Sequence, residues 1–316
     1  MPASTEDANL LVGSGHDFAN ITRGIDQGTY RGRVQFGLLG PTEVTHDVRG
    51  PVAVGSAVQR RVLTALLVGG GRAVPVGRLV LAVWGDDAPP SAERSLQSHV
   101  TRLRDLLGRD GDGARLTFVG GGYRLDVDED ALDTARFVHE VRGARDTGRS
   151  DPARAARQVE AALALWRGQP FADLVDTEYP AADAASLEEE RLAAQVDHAA
   201  YLLDAGQVAL AVPELEALVT EHGFLEHAWE LLVVALYRQG RQADALAAYR
   251  RARTALDDEL GVEPGPQLRA LEQQVLAQDP ALLGPVPTGP VVRARCPYKG
   301  LSRYDVTDAG VFVGRE

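Results

Sequence analysis

The side chains best suited to chemistry lie between Ser91 and Leu107, where arginines and hydroxyls recur at helical spacing. With Leu96 as the origin and about 100° per residue, Val100, Leu103 and Leu107 fall within about 40° of it. Arg94, Ser98, Thr101 and Asp105 fall within about 40° of the opposite pole, and Arg102 about 60° from that pole. The apolar stripe must face a core. The opposite face carries guanidinium forks and hydroxyls, which suit base edges and phosphates. Such a face commonly meets only water, so the neighbouring elements have to decide between the two readings.

Other chemistries find little support. None of the 7 histidines stands at metal-ligand spacing from another His, Cys or carboxylate, and His222 and His227 are separated by Gly223 and its neighbours. No serine sits in a nucleophile elbow, and Glu188-Glu189-Glu190 reads as a solvated helix face. The glycine runs Gly69 to Gly71 and Gly120 to Gly122 lack the strand-to-helix setting of a nucleotide fingerprint, and no G-x-x-x-x-G-K-[ST] occurs. No catalytic residue, metal or cofactor is expected. The single cysteine, Cys296, cannot form an internal disulfide, which fits a reducing cytoplasm.

The elements around the polar helix follow from pattern. Val34, Phe36, Leu38 and Leu39 precede Gly40-Pro41, which predicts a strand and a turn, and a short strand pair is expected through Val48 to Val54. Ser56 can cap a first helix over Ala57 to Leu67, and Gly69 to Gly71 end it. A second helix over Val76 to Val83 leads into the loop Trp84-Gly85-Asp86-Asp87-Ala88-Pro89-Pro90, after which Ser91 caps the third. Leu116 to Val119 and Tyr123 to Val127 then form a hairpin around Gly120-Gly121-Gly122. This order predicts an α+β winged helix-turn-helix over 31–128, folding as its own unit, with its third helix in a major groove and its hairpin on the backbone.

From Ala131 to Gln278 the pattern is helical. Leu202, Gly206, Ala211 and Thr220 recur 34 residues later as Leu236, Gly240, Ala245 and Thr254, the spacing of tetratricopeptide helix pairs. An all-α tetratricopeptide-like domain is therefore expected over 129–280, after a flexible tail over 1–30 and before a proline-rich linker that opens 281–316.

Charge divides along the same line. The net charge is -12, yet residues 31–125 hold 13 arginines against 8 carboxylates, whereas 126–316 hold 19 basic against 33 acidic residues. A basic module joined to an acidic one predicts separate tasks. No apolar run approaches the ~20 residues of a membrane helix, and the N-terminus lacks the pattern of a secretory signal.

Several blocks now stand in one order: VQFGLLGPTEV, LVLAVWGDDAPPSAERSLQSHVTRLRDLLG, GGGYRLDVD, ALALWRGQPFADL and LYRQGRQADALAAYRRARTALDDELGVEPGPQLRALEQQVL. Over about Val34 to Leu283 the chain resembles the Streptomyces antibiotic regulatory protein family. These are transcriptional activators that join a response-regulator-type winged helix to a bacterial transcriptional activation domain. The terminal CPYKGLSRYDVTDAGVFVGRE resembles the opening of a STAND-type nucleoside triphosphatase domain, as if the chain were the front of a longer protein.

The resemblance implies a cytoplasmic activator of a secondary-metabolite gene cluster that binds direct-repeat promoter DNA as a side-by-side homodimer. It also implies recruitment of RNA polymerase holoenzyme through its sigma factor and alpha subunit. The residues expected on DNA are Trp84, Ser91, Arg94, Gln97, Ser98, Thr101, Arg102, Arg104, Gly122, Tyr123 and Arg124. Arg94 is expected to read a base, and Arg102, Arg104, Tyr123 and Arg124 to hold phosphates. Trp84 reads equally as a core anchor or a neighbour of the DNA backbone. Asp86 and Asp87 read as a solvated loop or, through the resemblance, as a polymerase contact. The competing function is a tetratricopeptide-type scaffold whose winged helix binds protein; an ATP-driven switch would need a further domain.

Overall fold

The computed structural model of the chain describes residues 34–107 and 114–284. The expected tail over 1–30 and nearly all of the linker and triphosphatase-like segment over 281–316 lie outside the described residues.

Two compact units emerge. The first comprises 34–136 together with 166–187, and the second 137–165 together with 188–284, among the described residues. The first unit therefore includes a segment that the sequence analysis assigns to the helical domain.

In the first unit, β1 (Val34–Gly37), β2 (Glu43–His46) and β3 (Gly50–Val52) form an antiparallel sheet in that order. The second strand starts earlier than the pattern predicts, because Gly40-Pro41 turns the chain at once and Val44 pairs with Phe36. Helix α1 (Ala57–Val68) starts at Ser56, whose Oγ accepts the Gln59 N–H at 3.3 Å, as expected of an N-cap. Two residues, β4 (Val74–Pro75), then pair with the later hairpin before α2 (Val76–Trp84) begins. Helix α3 (Ala92–Leu107) follows, and β5 (Ala114–Val119) and β6 (Gly122–Val127) complete a second sheet in the order β4-β6-β5. The β4 pairing escaped the sequence analysis because two residues are too few for a period-2 signal.

Leu63, Leu66, Leu79, Leu96, Leu103 and Leu125 are fully buried in one core. Phe171 and Leu174, from the returning segment, are buried in the same core. That segment is also held by polar groups. The Thr42 N–H donates to Asp173 Oδ2 at 2.8 Å, and Arg60 pairs with Asp173 at 2.9 Å. Arg61 meets Asp176 at 3.3 Å.

The second unit contains α5 (Pro152–Leu163), α7 (Val208–Glu221), α8 (Glu226–Arg238), α9 (Gln242–Leu260) and α10 (Pro266–Leu276), with most of α4 (Asp133–Gly148) and α6 (Ala181–Asp204). The repeat is visible at atomic level. Gly206 and Gly240 both have φ 74. Each follows a helix whose end is closed by the same two bonds: Gly206 N–H to Leu203 O with Gln207 N–H to Leu202 O, and Gly240 N–H to Tyr237 O with Arg241 N–H to Leu236 O. A left-handed residue after a helix favours glycine, so the two copies share glycine for one physical reason.

Candidate nucleic-acid interface

Helix α3 takes the orientation its pattern predicts. Leu96, Val100, Leu103 and Leu107 are buried, while Arg94, Gln97, Ser98, Thr101 and Arg102 are exposed. Ser91, exposed at its start, accepts the Ser95 N–H through its carbonyl at 2.9 Å. Neither Arg94 nor Arg102 has a carboxylate partner among the described residues, so both guanidinium groups keep their donors for an external acceptor.

The hydroxyls are arranged differently. Ser98 Oγ donates to Arg94 O at 3.2 Å and Thr101 Oγ1 donates to Gln97 O at 3.0 Å, each one turn back along the helix. With their protons so placed, their lone pairs point outward as acceptors. The face thus offers arginine donors beside hydroxyl acceptors, the combination that distinguishes bases in a major groove.

His99 lies between this face and the core. Burial, and then the charge of Arg102, push its imidazole below the usual histidine range, so it is neutral near pH 7.

Three hairpin residues expected on DNA have internal roles in the structure. Tyr123 is only 7% exposed, belongs to the core and has its ring edge-on to Phe118. Gly122 is also buried, and a Cβ there would lie 2.3 Å from Val74 O, so its role is the close β4 pairing. Arg124 is ion-paired with Asp126 at 3.0 Å, which cancels its charge locally. Arg104 has an internal task too, since its Nε donates to Leu116 O at 3.0 Å and its guanidinium lies 5.9 Å from the Tyr123 ring centre. It fixes the hairpin to α3.

The α2–α3 connection separates the remaining candidates. Trp84 is half-buried and packs against the core, so its anchoring role is met whatever else it touches. Asp86 and Asp87 are exposed in a single 3-10 turn, and neither pairs with a cation among the described residues. Sequence reasoning missed Phe118 and Val119 at the hairpin end, 58% and 42% exposed.

No group of three or more His, Cys, Asp or Glu residues that could hold a metal occurs among the described residues, and none of their helices is long and apolar enough to cross a membrane.

Comparison with known proteins agrees with this architecture. Residues 53–125 match the family described as "Transcriptional regulatory protein, C terminal", and residues 132–276 match "Bacterial transcriptional activator domain". The chain is 38% identical over 261 residues to the transcriptional regulator RedD of Streptomyces coelicolor, covering 81% of this chain and 74% of that protein. It is 40% identical over 254 residues to the regulatory protein AfsR of Streptomyces coelicolor, but covers only 25% of it. It is 39% identical over 257 residues to the transcriptional regulatory protein EmbR of Mycobacterium tuberculosis, covering 80% of this chain and 66% of that protein. A solved structure of EmbR in complex with a low affinity phosphopeptide superposes with a TM-score of 0.71 at 38% identity, over 81% of this chain and 66% of that one.

Proposed function

We propose that this chain, which belongs to the Streptomyces antibiotic regulatory protein family of transcriptional regulators, activates transcription by reading promoter DNA with the exposed face of α3. The observation that carries the reading is the division of α3: a buried leucine-valine stripe, and opposite it two arginines that have no carboxylate partner among the described residues, beside hydroxyls that present acceptors. Arg94, in the first helical turn, reads a base through its planar fork, and Arg102 further along holds a phosphate. The basic character of this part of the chain draws it to the duplex despite the net charge of -12.

The helical unit supports side-by-side dimers on direct repeats. Asp86 and Asp87, exposed and without a cation partner among the described residues, offer an acidic surface to RNA polymerase holoenzyme, at its sigma factor or alpha subunit. The genes controlled belong to a secondary-metabolite cluster, in keeping with the relatives' family. The site is one of binding and not of turnover, and it works in the cytoplasm where promoter DNA lies. In a longer form of the protein, a nucleoside triphosphatase domain following residue 316 would restrain or release these two units.

A gel-shift assay with promoter-containing genomic fragments tests the reading. Salt-sensitive, competitor-resistant duplex binding is expected. A tetratricopeptide-type scaffold whose winged helix binds protein would give no shift.

A further inference from the structure

Where the winged helix meets the returning segment, the first unit holds a cavity of about 400 Å³, within the size range of small-molecule sites. Val68, Arg72, Val74 and Arg78 line it from the end of α1 and the start of α2. Tyr179 and Asp183 line it from the returning segment.

Two guanidinium groups and a carboxylate thus share one cavity, yet no ion pair forms among them. None of the three pairs with another charged group among the described residues either. Each arginine is positioned by an uncharged neighbour. The Arg78 guanidinium lies 5.0 Å from the Tyr179 ring centre. Arg72 donates to Gly69 O twice, through its backbone N–H at 3.1 Å and its Nε at 3.3 Å. Gly70 and Gly71, with φ of 57 and 74, turn the chain sharply between donor and acceptor. Tyr179 itself donates to Ala65 O at 3.3 Å, and burial pushes its phenol above the usual tyrosine range, so it stays neutral near pH 7.

Arg78 therefore keeps its whole donor fork, and Arg72 keeps its terminal nitrogens. Two such forks suit a phosphate group, whose oxygens can accept from both. Asp183 repels a bare phosphate but accepts from hydroxyl groups, and Val68 and Val74 offer an apolar wall to a carbon skeleton.

We infer that this cavity binds a small phosphorylated metabolite, a phosphate monoester carrying hydroxyl groups, with Arg72 and Arg78 on the phosphate and Asp183 on the hydroxyls. The bound molecule joins the returning segment to the start of α2. It thereby couples the concentration of such a metabolite to the stability of the unit that carries α3. No residue of α3 lines the cavity, so the inference does not depend on the DNA-binding reading.

The test titrates the full chain, without DNA, with glycerol 3-phosphate, glucose 6-phosphate, AMP and inorganic phosphate by isothermal titration calorimetry. At least one ester should bind at one site per chain, roughly tenfold tighter than inorganic phosphate, and raise the melting temperature with its concentration. Arg72→Gln and Arg78→Gln should each weaken that ester roughly tenfold through the loss of charge-assisted hydrogen bonds, and melt like the parent in its absence. Asp183→Asn has no partner to lose among the described residues, so it serves if an arginine variant fails to fold; it should narrow the preference for the ester over inorganic phosphate. On a duplex recovered by selecting the chain's binding sites from a random-sequence library, both arginine variants should keep the parent's salt slope. A lowered slope would assign these arginines to DNA phosphates and overturn the inference. So would the absence of saturable binding by any ester, equal affinity for inorganic phosphate, or ester binding unchanged in both arginine variants. If the chain selects no duplex, the DNA-binding reading falls while the calorimetric result stands on its own.

Discussion

Arg167 Nη2 donates to Asp133 Oδ2 at 3.0 Å, and the same carboxylate accepts the backbone N–H groups of Leu38 and Leu39 at 2.7 and 3.1 Å. One buried carboxylate thus joins the end of β1 to the start of α4 and to the returning segment. Arg167 also donates to Pro41 O at 2.9 Å. The winged helix is completed by residues that follow it in sequence by tens of positions.

Asp133→Ala should therefore destabilise the first unit by on the order of 3 kcal/mol, because two buried N–H donors lose their acceptor. Denaturant unfolding measures this. A fragment ending at residue 128 lacks Asp133, Phe171 and Asp173 and should melt well below the full chain. Equal stability of fragment and full chain would show that the returning segment is dispensable.

Asp173 gives this interface a pH dependence. Burial alone would raise its carboxyl, but the Thr42 N–H and the Arg60 guanidinium together hold it below the usual aspartate range. A depressed folded value means that its contribution is complete above the unfolded value of about 3.9. That contribution fades as the pH falls from there through the folded value. Asp173→Asn should be less stable than the parent at neutral pH, and the difference in melting temperature should shrink in this acidic window. A difference that stays constant down to acid would mean the carboxylate is not the group responsible.

Gly122→Ala tests the reassignment of the hairpin. The added Cβ would meet Val74 O, a backbone atom with little room to move. A loss of roughly 1–3 kcal/mol is expected from overpacking, visible in thermal melting without DNA. Normal melting with weakened DNA binding would restore Gly122 to the interface.

Much of this was legible in the sequence because it is periodic. The stripe from Leu96 to Leu107 and the repeated Gly206 and Gly240 turns are local patterns with local causes, and the structure shows both. The returning segment was not legible. Phe171 and Leu174 sit among aspartates and short turns with no helical or strand period, and the segment's partners lie far away, as the 131-residue separation between Thr42 and Asp173 illustrates. Tyr123 marks an intermediate case. The resemblance implies a place on DNA for it, whereas counting by twos from Leu125 puts it on the buried face.

In the proposed binding mode α3 reads DNA through Arg94 and holds it through Arg102. The most direct measurement compares the parent, Arg94→Ala and Arg102→Ala by fluorescence anisotropy on the selected duplex and on its single-base-pair variants, across a salt series. Arg94→Ala should lose roughly 1–3 kcal/mol on the selected duplex and relax preference at one base pair. Arg102→Ala should weaken all sequences alike and lower the salt slope by about one. Both should melt like the parent, since neither side chain is on the buried stripe. An Arg94→Ala protein that binds as tightly and selectively as the parent, with unchanged melting, would rule this binding mode out.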